Sequence, residues 1–116
     1  MPFITSRVSC AMTGAQEEQL KAGLGKAIEA VPGKSEQSLL VCLEQNCHLW
    51  LRGDNTQPVA YIEVAVYGNE QHAGYPTLNL LITRLYVDIL HIAPERVYVR
   101  FIDIPAWGVA GMYINQ

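Results

Sequence analysis

The sequence predicts one α/β domain in which a strand–helix–strand unit occurs twice, giving a four-stranded mixed sheet with two helices on one face. Three observations lead there. Apolar and polar residues alternate with a period of two, change to a helical period, and change back. After a turn-rich stretch in mid-chain, the same order recurs. Finally, half of the 116 residues are hydrophobic and only 16% are charged, against a usual charged share of about 25%. A chain of this length can fill a core as a single domain over residues 1–116, and its apolar surplus asks for a partner surface.

The first strand is "PFITSRVS", with Phe3, Thr5, Arg7 and Ser9 on one side and Ile4, Ser6 and Val8 on the other. Pro2 fits its first position, because a residue there need not donate a backbone hydrogen bond. Thr13 is the expected N-cap of the first helix and Gln16 completes a capping box. Leu20, Leu24, Ala27, Ile28 and Val31 then share a helical face, and Pro32-Gly33 ends the helix. "SLLVCLEQ" reads as a covered strand, and "RGDNTQP" as the central turn. The second unit begins with "VAYIEVAVYG", continues with a helix over "TLNLLITRLYVDILHI", and ends, after Pro94, with the alternating strand "RVYVRFIDI". The expected buried stripe of the second helix is Leu78, Leu81, Leu85 and Ile89. Right-handed crossovers put both helices on one face. The second sheet face is expected to be apolar as well, through Ile4 and Val8 or through Val64 and Val66. With no third helix to cover it, another copy of the chain is the expected cover.

Charge and composition exclude several classes. A net charge of −3 opposes nucleic acid as the main ligand, including single-stranded RNA on the sheet. Cys10, Cys42 and Cys47 form no CxxC and read as thiols in a reducing compartment. His48, His72 and His91 lack metal-ligand spacing and read as surface or structural residues. "GLGKA" at residues 23–27 lacks the full phosphate-loop spacing and reads as helix packing. No basic leader or long apolar run is visible. The expectation is a cytoplasmic protein with no membrane partner, leaderless secretion being the route if it leaves the cell.

Several segments together resemble the tautomerase superfamily, in the branch of macrophage migration inhibitory factor and D-dopachrome tautomerase. They are the opening "MPFI", Gly33-Lys34 after the first helix, "QPVAYIEV", Gly68 after the third strand, "ILHIAPERVYVRFID" and "WGVAG". The resemblance spans nearly the whole chain. It implies the duplicated fold already read from the residues, assembled as a homotrimer whose sheets line a central channel. It also implies a cofactor-independent keto–enol isomerase of the phenylpyruvate tautomerase type, with no cofactor and no metal, acting on a small enolisable carbonyl acid.

By that resemblance Pro2 is the catalytic base, once removal of Met1 leaves its secondary amine at the chain's end. An α-amino group has an ordinary pKa of about 8, and burial or a nearby cation lowers it toward neutrality. Lys34 matches the lysine that pairs with substrate oxygen, Tyr67 the position whose backbone N–H helps bind substrate, and Tyr98 the tyrosine contributed by a neighbouring subunit. Arg100 stands where the animal cytokines usually carry asparagine. It can grip a carboxylate bidentately or pair with a nearby acid. Trp107 and Val109 are expected at the apolar mouth of the pocket, after a segment shortened between Asp103 and Trp107. Val59 and Ile62 occupy the positions of the cytokine's CxxC, so redox chemistry is not expected. The competing reading is a signalling protein that binds a receptor through a trimer with a vestigial pocket.

Overall fold

The computed structural model describes residues 1–115. Strand β1 spans Pro2–Val8, helix α1 Gly14–Ala27, β2 Leu40–Glu44, β3 Ala60–Tyr67, α2 Tyr75–Leu90, β4 Val97–Ile104, β5 Ala106–Val109 and β6 Met112–Asn115. The main sheet has the order β2-β1-β3-β4, and β5 and β6 form a separate hairpin. Strands β1 and β2 run parallel, as do β3 and β4, while β1 and β3 are antiparallel at the centre. This is the expected pair of βαβ units in a mixed sheet.

The capping box of α1 is complete. The Thr13 hydroxyl accepts from the Gln16 N–H at 3.1 Å, and the Gln16 side-chain oxygen accepts from the Thr13 N–H at 2.9 Å. The Gln16 amide nitrogen then donates to the Ile89 carbonyl at 3.1 Å, tying the start of α1 to the end of α2. The helix tightens to a 3₁₀ turn over Ile28–Ala30 before Pro32. Gly23 lets the helices approach closely, since a Cβ there would run into the Leu85 side chain; "GLGKA" is therefore packing, as expected.

The stripe of α2 differs from the expected one. Its fully covered residues are Tyr75, Leu78, Ile82, Tyr86 and Leu90, whereas Leu81, Leu85 and Ile89 are partly buried. The helix is apolar over more than one stripe, and Leu85 belongs to the side turned to Gly23 of α1. Tyr86 carries a hydroxyl into the core, where it donates to the buried Ser6 hydroxyl at 2.6 Å. Burial pushes the Tyr86 phenol up to about 12.

The second sheet face also departs from expectation. Ile4, Val8, Val64 and Val66 all lie in the single core beneath the helices. The open face carries Phe3, Ala65 and Ile102 toward one end and Arg7, Glu44, Tyr61, Glu63, Tyr98 and Arg100 toward the other. It is mixed rather than apolar, because the central antiparallel pairing puts both valine sets on the same side. Among the described residues no helix is long and apolar enough to cross a membrane.

Candidate active site

The sheet topology gathers three sequence-predicted residues at one end. Pro2, buried at the start of β1, lies opposite Val66 of β3 in the antiparallel register. The next residue of β3, Tyr67, donates its backbone N–H to the Met1 carbonyl at 3.2 Å. The turn after Pro32 swings Lys34 in, and its ammonium donates to the Tyr67 carbonyl at 2.9 Å. Gly68, at φ +84°, follows directly; a Cβ there would stand 3.6 Å from the Lys34 ammonium. Glycine thus serves the left-handed backbone, and a Cβ there would make only ordinary contact with the cation.

Electrostatics at this end follow from the same contacts. The Met1 terminal amine is lowered from its ordinary 8.0 to about 6, first by burial and then by the Lys34 cation. A neutral amine is therefore favoured at this place, while Lys34 keeps further N–H donors for an oxygen.

Beside this end lies a cavity of about 320 Å³, whose walls include Gly68, Asn69, His72, Asp103 and Pro105. His72 contacts the Asp103 carboxylate at 2.8 Å and stacks on Tyr75, which in turn stacks on Phe101. The expected structural role of His72 is met by that pair. Among the described residues no cluster of histidine, cysteine, aspartate and glutamate could hold a metal ion.

The other predicted residues lie elsewhere in the chain. Asp103 of β4 shares the register row of Val66 and Pro2. Arg100 is three residues back along β4 and Tyr98 five, so they stand about 10 and 17 Å from that row. Tyr98 is 45% exposed, and within one chain neither residue reaches Pro2. Trp107 and Val109 lie on β5, paired with Ile114 and Met112 of β6. Their hairpin leaves from the Pro2 end of the sheet but forms its own two-stranded layer.

Arg100 has partners that sequence reasoning did not identify. Its guanidinium lies 3.4 Å from the Glu63 carboxylate, which also accepts the Tyr61 hydroxyl at 2.7 Å. The available signal was a single acid within the apolar run "VAYIEVAV". Arg96, part of the "PERVY" segment, is structural: it donates to the carbonyls of Pro58 and Gln57 at 3.0 Å each and holds the central turn.

The chain is similar to MIF2 of Leishmania major, at 23% identity and a TM-score of 0.88 over 98% of this chain and 97% of that one. It is similar to a macrophage migration inhibitory factor homologue of Prochlorococcus marinus, at 26% identity and a TM-score of 0.83 over 96% and 97%. A fused 4-OT solved as an asymmetric trimer shares the fold at 18% identity and a TM-score of 0.80 over 95% and 94%. No curated protein sequence matches the chain. The sequence model of one family, macrophage migration inhibitory factor, matches residues 1–113, and with a fold shared along nearly its whole length the chain belongs to that family.

Proposed function

We infer that the protein is a cofactor-independent keto–enol tautomerase acting on a small enolisable carbonyl acid of the phenylpyruvate type. One observation carries the reading: Pro2, Lys34 and Tyr67 meet at one end of the sheet, where burial and the Lys34 cation already lower the amine of Met1, the residue before Pro2, to about 6.

The mechanism needs Met1 to be removed. While Met1 is present, the Pro2 nitrogen is an amide with no basic lone pair, and the Met1 carbonyl takes the Tyr67 N–H. Its removal opens both groups at once. The free Pro2 amine then takes the proton of the enol hydroxyl and, as a secondary ammonium, returns it to the adjacent carbon. Run in reverse, these steps form the enol. The pyrrolidine ring fixes the direction of the lone pair. Lys34 and the Tyr67 N–H hold the oxygen on which charge develops.

The separation of Tyr98 and Arg100 from Pro2 supports a site shared between chains of a homotrimer, as does the trimeric state of the fused 4-OT. In that arrangement a neighbour's Tyr98 and Arg100 face the substrate, and Trp107 and Val109 supply an apolar wall.

The test is ultraviolet-monitored ketonisation of phenylpyruvate by protein whose mass confirms loss of Met1. Turnover that Pro2→Gly lowers at least about 100-fold is expected, since glycine loses the oriented secondary amine. Turnover unaffected by that change, or a monomeric mass in the active sample, contradicts the reading.

A further inference from the structure

The open face of the sheet buries most of an acid beside a more exposed cation. Glu63 lies mid-strand in β3, level with Thr5 of β1 and Arg100 of β4. Its carboxylate accepts the Tyr61 hydroxyl at 2.7 Å and faces the Arg100 guanidinium at 3.4 Å. Arg7, also on this face, is engaged by Glu44 at 2.8 Å and feels the Glu63 charge more weakly. The Glu63 side chain is only 24% exposed and that of Arg100 64%. The acid is thus anchored by Tyr61, whose hydroxyl also lies against Arg100, and the more exposed guanidinium keeps further N–H donors. A carboxylate arriving at Arg100 meets a cation already partly neutralised.

We propose that Glu63 determines substrate specificity: by facing Arg100 it weakens the guanidinium's hold on a substrate carboxylate, so that neutral enolisable carbonyl compounds are accepted beside keto acids. This rests on the reading above, in which a neighbouring chain's Arg100 faces the substrate at Pro2. Glu63 itself touches no substrate and acts through Arg100.

The experiment compares kcat/KM for phenylpyruvate and for its methyl ester on protein with a free Pro2 amine. Glu63→Gln keeps an acceptor for Tyr61 and for Arg100 and removes the opposing charge. The acid-to-ester ratio rises about fivefold to tenfold, through the KM of the acid. Tyr61→Phe removes an uncharged hydroxyl that touches both Glu63 and Arg100 and leaves the opposing charge in place, so the ratio moves less than with Glu63→Gln. A loss of packing would instead lower both substrates together. A ratio unmoved by Glu63→Gln, or raised as much by Tyr61→Phe, overturns the role of Glu63 while the tautomerase reading stands. Wild-type protein that turns over neither substrate overturns both.

Discussion

Lys34 is the residue through which the site's electrostatics can be tested alone. Its ammonium is held by the Tyr67 carbonyl at 2.9 Å and, after burial, lowers the pKa of the Met1 chain-end amine; it is expected to act in the same sense on a free Pro2 amine. A cation disfavours a second positive charge, so removing it raises the amine's pKa. Lys34→Ala therefore shifts the acid limb of the kcat/KM profile to higher pH. It also lowers kcat/KM about 100-fold at neutral pH, as loss of a donor to a developing oxyanion does. A pH–rate series on both proteins checks this. In the parent the free-base fraction grows as pH rises through the depressed amine pKa, so kcat/KM rises with it and levels off below the ordinary value of about 8. At this scale Pro2, Lys34 and Tyr67 were singled out through the resemblance, and the fold brings the three together at one end of the sheet. The sequence was not readable for the Arg100–Glu63–Tyr61 group. That contact depends on the register of β3 against β4, and a sequence pattern gives the period of a strand without its register.

Among the elements, α2 shows what periodicity leaves open. Leu78, Leu81, Leu85 and Ile89 make a valid helical stripe, yet the row that meets the sheet is Leu78, Ile82, Tyr86 and Leu90. The helix has two apolar neighbours, the sheet and α1, so hydrophobicity alone cannot orient it. Tyr86 fixes the outcome, because its hydroxyl needs a buried partner and finds Ser6. Tyr86→Phe leaves the Ser6 hydroxyl without that donor and costs about 1–3 kcal/mol. Adding Ser6→Ala costs less than the sum of the two single changes. Urea denaturation midpoints of the three variants check both statements, and strict additivity would show that the two hydroxyls are not coupled. The hairpin of β5 and β6 was not legible for a different reason. Its turn places Ala110 and Gly111 at φ +55° and +80°, the type of turn usually signalled by Asn-Gly. Alanine at the first position hides that signal.

Across the whole molecule, the residues proposed for function are spread along one sheet and its edge. Pro2, Lys34 and Tyr67 occupy one end, and Tyr98 with Arg100 lies about 10–17 Å away by strand rise. A single chain holds half of the proposed site at each place, which a shared site in a trimer reconciles. The duplicated architecture was legible because its two units repeat the same change of period on either side of "RGDNTQP". The nature of the open face was not, since deciding which residues share a face requires the pairing of β1 with β3. What unites these observations is the chain-end amine. The most direct measurement is phenylpyruvate ketonisation by two mass-verified samples, one with Met1 removed and one with Met1 retained. Turnover confined to the sample with a free Pro2 amine is the predicted result, and equal rates in the two samples would contradict the account.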